Sequence, residues 1–193
     1  MLPLRLIVGL ANPGKNYAET RHNAGGWFVE NIAKAAKIML RQDFKFHGWL
    51  GSGNIDGQPC YLLIPSTYMN ESGKAVRAVM QYYKIEPESV LIAHDELDLN
   101  VGTVKLKCDG GDGGHNGLKD VIRHLHTKQF NRLRIGIGRP AHNKEVIDYV
   151  LHPPSKADRI EIDLGLAQAQ AVLPLLLKGE ISKAMQALHT LPQ

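Results

Sequence analysis

The chain has 193 residues, 44% hydrophobic and 22% charged, a balance ordinary for a globular protein that gives no indication of disorder and leaves a domain enough apolar surface for a real core. Lys and Arg number 23 against 19 Asp and Glu, a formal net charge of +4 that leans towards a polyanionic partner without specifying one. Cys60 and Cys108 are too few for a disulfide framework and lie outside any CxxC spacing, which fits a reducing cytoplasm.

Residues 4–10 are almost all apolar, as in a strand buried on both faces, and Asn12-Pro13-Gly14 breaks the run. That run is too short for a signal peptide or a membrane span, so a cytoplasmic, untargeted protein with no membrane attachment is expected. Val29, Ile32, Ala33 and Ala36 follow at helical spacing, predicting a helix that begins near Asn23. The pattern recurs with a strand at 61–64, a loop at 65–70, and a helical face of Val76, Val79, Met80 and Tyr83. Residues 90–93 read as a buried strand and 103–107 as an alternating one. Leu118, Val121, Ile122 and Leu125 form a helical stripe behind a glycine-rich loop, and a further strand is expected at 133–137. Beyond Pro153-Pro154 the chain reads as helical, interrupted at Pro174. With no linker or repeat, residues 1–193 are expected to form a single α/β domain. Its mixed, mostly parallel twisted sheet is flanked by helices and binds ligands at the carboxyl ends of its strands.

Gly9 to Lys15 comes close to the phosphate-cradling G-x-x-x-x-G-K-[ST] loop, and residues 90–96 imitate its companion strand ending in acids. Asn16 stands where a magnesium-binding hydroxyl is needed, and Pro13 removes a backbone donor, so the match fails chemically. His22 lies just before a helix, where the local N–H dipoles favour a neutral, basic imidazole. A lone histidine is more often a surface or capping residue, so His22 needs an orienting partner. Asp95, at the end of the strand predicted for 90–93, is the best placed, with Glu96 and Asp98 as rivals. Asn12, Asn70 and Asn116 each sit at a strand-to-loop junction or helix start, where asparagine also serves as a turn or cap. Together the five converge on one sheet edge and supply a base, its orienter and amides for a water and an oxyanion, an inventory suited to an activated ester. Ser66, Ser72 and Cys108 lack a nucleophile elbow. His115, His124 and His126 near Asp109 and Asp112 match no familiar metal spacing, so neither metal nor cofactor is expected. Lys107, Lys119, Arg123, Arg132, Arg134, Arg139 and Lys144 crowd the second half, where a basic surface can meet a phosphate backbone.

Four blocks, GLANPGKNYAETRHNAG from Gly9, PSTYMNESG from Pro65, HDELDL from His94 leading to GGDGGHNGLKD from Gly110, and FNRLRIGIGRP from Phe130, occur in order at compatible spacing. Over roughly residues 6–151 the chain thereby resembles the bacterial-type peptidyl-tRNA hydrolases. The resemblance implies a one-domain α/β fold, without cofactor, acting as a monomer on peptidyl-tRNA and cleaving the ester between peptide and terminal ribose. On matching positions it implies His22 as base, Asp95 as its partner, and Asn12, Asn70 and Asn116 as holders of water and substrate. It further implies that Tyr17 and Met69 line the channel for the acceptor end or peptide, while Lys107 and Arg134 clamp the tRNA 5′ phosphate. Ala11, Asp109 and Asp112 depart from the usual family pattern, and the two acids make the glycine loop more acidic than its customary form.

Overall fold

Leu6–Gly9 carries no polar side chain and is buried throughout, as a strand at the centre of a covered sheet must be. In the computed structural model, which describes residues 2–190, this strand (β1) is the middle member of a seven-stranded sheet. The others are β2 (Arg41–Asp43), β3 (Gly48–Ile55), β4 (Gln58–Pro65), β5 (Val90–Glu96), β6 (Val104–Lys107) and β7 (Asn131–Gly136), in the spatial order β2-β3-β4-β1-β5-β7-β6. β4, β1, β5 and β7 run parallel, and antiparallel strands close both ends. The sheet is mixed and mostly parallel, as expected.

β4 covers the strand expected at 61–64, whereas β2 and β3, which pair antiparallel beside it, are absent from the expected elements. Glycines at 48, 51 and 53 weaken the strand signal of β3, since they bring no side chain to pack. The two-residue turn from β3 to β4, Asp56-Gly57, has positive φ at both positions, the form that joins twisted strands without splaying them.

Among the described residues seven α-helices surround the sheet: α1 (Ala24–Ala36), α2 (Ser72–Tyr83), α3 (Asn116–Leu125), α4 (Val146–Val150), α5 (Lys156–Ala171), α6 (Leu173–Leu177) and α7 (Ile181–His189). α1 and the C-terminal helices bury Phe28, Ile32, Leu166 and Leu177 against one face, while α2 and α3 bury Val76, Val79, Leu118 and Val121 against the other. Each such side chain, fully buried, contributes about 1.5–3 kcal/mol relative to exposure. Pro174 falls in the first turn of α6, where its missing N–H costs nothing, so the helical segment breaks between α5 and α6 as predicted.

One contact decides where the site forms. A Cβ on Gly9 would stand 2.2 Å from the Gly25 carbonyl oxygen, and one on Gly25 only 2.1 Å from that of Ala93. α1 therefore lies backbone to backbone on β1 and β5. From β1 the chain passes through α1 to the strands on the β4 side, and from β4 it returns through α2 to β5 on the other side of β1. The crevice beyond the carboxyl ends of these strands is where an open α/β sheet binds its ligands.

Candidate active site

His22 sits in a 3-10 turn, Arg21–Asn23, that runs directly into α1. Because α1 rests on β5, the imidazole stands over the end of that strand, its Nδ1 2.9 Å from each oxygen of Asp95. Asp95 is 4% exposed. A second imidazole meets it from the glycine-rich loop, His115 Nε2 donating to Asp95 Oδ1 over 2.8 Å. His115 is also the N-cap of α3, where its Nδ1 accepts the amides of Gly117 and Leu118 at 3.1 and 3.2 Å. An Nδ1 that accepts leaves the proton on Nε2, so the network assigns His115 as a donor to the carboxylate.

Burial alone would raise the pKa of Asp95, but the charges and hydrogen bonds of His22 and His115 outweigh it and hold the carboxyl well below the usual range. Burial pushes His22 down, and the Asp95 charge and hydrogen bond more than compensate, leaving its pKa above 6.5. In the neutral ring the Nδ1 proton is committed to Asp95. The lone pair of Nε2, which has no hydrogen-bond partner among the described residues, is the free base.

Asn12, Tyr17, His22, Met69, Asn70, Asp95 and Asn116 all line one cavity of about 450 Å³. The structure thus brings together all five polar residues predicted to converge, with both channel residues. Asn12 is itself fixed: its Oδ1 accepts the Met69 amide at 2.7 Å, and its backbone exchanges two hydrogen bonds with the Asn23 side chain, each 2.9 Å. Asn70 and Asn116 are exposed at the rim. Tyr17 meets Tyr68 edge to face, and Val146, Ile147 and Val150 of α4 add an apolar wall.

Lys107 and Arg134 lie elsewhere. They line a neighbouring cavity of about 320 Å³ with His94 and Arg132, joined to the first by shared walls at Glu96 and Gly113. Arg134 Nε donates to Glu96 at 2.8 Å.

Sequence reasoning missed His115 as part of the carboxylate network, although the His-Asn pair at a helix start that drew attention to His22 recurs at His115-Asn116. His94 was missed as well. It is 2% exposed, donates from Nδ1 to the Asp95 carbonyl oxygen, and packs edge-on against His115 with ring centroids 5.2 Å apart. Burial and the neighbouring His115 push its pKa down to about 3, so it stays neutral.

His22, Asp95 and His115 offer ligand atoms within 4.8 Å of one another, close enough for a cation. The same atoms already satisfy each other as two N–H donors on one carboxylate, which is a hydrogen-bond network rather than an unsatisfied cage. The phosphate-loop alternative fails in the fold. After Lys15 the chain turns, and the first α-helix begins only at Ala24, so no helix N-terminus follows the loop to hold phosphate. Among the described residues no helix is long and apolar enough to cross a membrane.

The model of one known family, described as peptidyl-tRNA hydrolase, matches residues 6–193. The chain belongs to the peptidyl-tRNA hydrolase family. A peptidyl-tRNA hydrolase from Nitrosospira multiformis is 49% identical, over 98% of this chain and 100% of that one. The crystal structure of the Acinetobacter baumannii peptidyl-tRNA hydrolase superposes with a TM-score of 0.94 at 47% identity, covering 97% of this chain and 95% of the other. A point mutant of the Acinetobacter baumannii enzyme gives 0.96 at 47% identity, covering 98% and 96%. This family membership extends the resemblance past residue 151 into the C-terminal helices.

Proposed function

We propose that this chain hydrolyses the ester joining a peptide to the terminal ribose of tRNA, with His22 as the base that activates water. The observation that carries this reading is the double 2.9 Å approach of His22 Nδ1 to Asp95, which leaves Nε2 as the free basic nitrogen of a ring lining the same cavity as Asn12, Asn70 and Asn116. Water bound between Nε2 and a side-chain amide loses a proton to His22 as its oxygen attacks the ester carbonyl. The tetrahedral oxyanion is met by amide N–H groups of Asn70 or Asn116, which stand at the rim with no protein acceptor among the described residues. Collapse breaks the bond to the ribose oxygen, and the proton held on His22 passes to that oxygen. The products are the peptide acid, which gives up its remaining proton to solvent as a carboxylate, and tRNA with its terminal hydroxyl restored. Asp95 keeps the imidazole in one tautomer and stabilises it while it is protonated.

An activated ester suits this equipment, since a positioned base supplies about 10²–10⁴-fold and a single oxyanion donor about 10²–10³-fold. Tyr17 and Met69 line the channel for the acceptor end, and Lys107 beside Arg134 takes the 5′ phosphate in the adjoining cavity. The test is cleavage of peptidyl-tRNA by wild type and His22→Ala, with chelator present throughout. Wild type cleaves unaffected by chelator and the variant loses at least a hundredfold; equal rates would refute the assignment of the base.

A further inference from the structure

Asn12 lines the catalytic cavity and also a second one, of about 490 Å³, on the β4 side of β1. The chain has two tryptophans, and both stand in the walls of this second cavity: Trp27 of α1, 4% exposed, and Trp49 of β3, 43% exposed. Trp49 is opposite Ile64 of β4 in the register, and Ile64 packs into the core that α1 covers. Directly opposed residues share a face, so the Trp49 ring lies on the α1 side of the sheet.

One cation already occupies part of this cavity, and the chain supplies it. The Arg159 guanidinium of α5 lies 3.7 Å from the centre of the Trp27 ring and is held by Glu19 at 2.9 Å and Asp163 at 3.0 Å. An indole face and a carboxylate thus enclose a guanidinium. The same cavity repeats the first two components without the third. Glu30 follows Trp27 by one turn of α1 and lines the cavity together with Trp49. Glu19 has Arg159 as its partner, whereas the Glu30 carboxylate forms no hydrogen bond or ion pair among the described residues. Partial burial and then the Glu19 charge push the Glu30 pKa up, and Arg159, committed to Glu19 and Asp163, offsets them only in part. A carboxylate in that position gains from any cation that reaches it, and an indole face attracts the same group.

We infer that the second cavity binds an organic cation, a guanidinium or an ammonium on an alkyl stem, between the Trp49 indole and the Glu30 carboxylate. The stem meets Leu40, Ile64 and Pro65 in the same walls. A guanidinium is the better guest, because it is planar, stacks on aromatic faces and is less strongly hydrated than an ammonium. The wall shared at Asn12 makes the peptide part of the substrate the source. An arginine or lysine side chain a few residues from the ester passes Asn12 and enters, while the ester carbonyl stays beside His22. That source rests on the peptidyl-tRNA reading above; the cation site itself does not.

Because both tryptophans face this cavity, indole emission reports its occupancy. N-acetylarginine amide is titrated into wild type and Glu30→Gln, with N-acetylcitrulline amide, nearly the same shape but uncharged, as the control. Glu30 is exposed, so Glu30→Gln keeps the fold. Wild type should give a saturable change with the arginine amide and bind it about tenfold more tightly than the citrulline amide, and Glu30→Gln should lose that preference. Equal responses to the two amides, or a preference that survives in Glu30→Gln, would overturn the site. A second arm decides the source, by kcat/KM for peptidyl-tRNAs carrying arginine or citrulline at successive positions of the peptide. The ratio is taken on one preparation of each enzyme, so any loss of folded protein cancels. Wild type should favour arginine about tenfold at one position, and Glu30→Gln should not. Arginine binding in the first arm with no arginine preference in the second would overturn the peptide as the source and leave a site for free cations. A wild type inactive on every substrate would remove the hydrolase reading and the peptide source with it, while the first arm still decides the cation site.

Discussion

His22 Nδ1 lies equidistant from the two oxygens of Asp95, 2.9 Å from each, so either one can take its proton-bearing nitrogen. Replacing Asp95 by Asn substitutes an N–H donor for one of those acceptors and invites the opposite tautomer of His22. Asp95→Asn is expected to fold, because the amide oxygen still accepts from His115, and to lose about 10²–10⁴-fold in kcat. Single-turnover cleavage measures this, and a loss under tenfold would mean that Asp95 does not orient the base.

Rate and stability should respond to pH in opposite directions through this pair. Burial lowers the His22 pKa and Asp95 raises it more, so the folded value lies above 6.5. The base is competent only when neutral, and kcat/KM should therefore climb with pH through an inflection above 6.5. The stabilising contribution of the protonated pair is complete below the unfolded value near 6.5 and is lost as pH rises through the folded one. In Asp95→Asn, burial is left unopposed and the inflection should move below 6.5. A pH–rate profile that stays in place would count against His22 as the titrating group.

Asn12 and Asn70 line one cavity but should behave differently when truncated. Asn12 Oδ1 is the acceptor for the buried Met69 amide, so Asn12→Ala strands a donor. A cost of about 1–3 kcal/mol is expected, which in a domain of this size lowers Tm by roughly 2–12 °C. Asn70 is exposed and accepts no comparable bond. Asn70→Ala should leave Tm within about a degree, as surface substitutions away from such networks do, while reducing kcat. Thermal melts alongside kinetics separate the two roles, and equal losses of Tm would refute the distinction.

The parallel core of this fold was readable because its strands are continuous apolar runs and its helices carry clean stripes; β1, β4, β5 and β7 and helices α1, α2 and α3 all fall where those patterns place them. β2 and β3 were not, since three glycines dilute the alternation of β3, although Asp56-Gly57, the turn from β3 to β4, is a hairpin signal in plain view. The candidate site divides similarly. Asp95 could be chosen over Glu96 and Asp98 because it stands nearest a strand end. His115 could not, because its glycine-rich surroundings leave the loop path open and only the fold brings its ring to Asp95. Glu30 and Trp49 are equally silent in sequence, because they belong to different elements and only the fold sets them in the walls of one cavity.

At the far edge of the sheet, α7 is latched to β6 by a bond from the Leu106 amide to His189 Nε2 at 3.1 Å. The ring must be neutral to accept, and burial together with Lys105 lowers its pKa below 6.5. The latch therefore contributes fully above the unfolded value and fails as pH falls through the folded one. His189→Gln, whose amide oxygen can accept without titrating, should narrow the drop in Tm between pH 7.5 and 5. Part of the drop should remain, because His94 is also buried neutral, with a pKa near 3. An unchanged drop would mean that the latch does not matter to acid stability.

His115 closes the first turn of α3 with one nitrogen and holds Asp95 with the other. Fraying of the α3 N-terminus and loss of the His115–Asp95 bond are consequently one event. Whenever the end of α3 opens, the ring loses its place, the carboxylate loses a donor, and the base opposite is left to a partner of altered strength. Hydrogen exchange at the Gly117 and Leu118 amides should therefore report the same opening that releases His115 from Asp95.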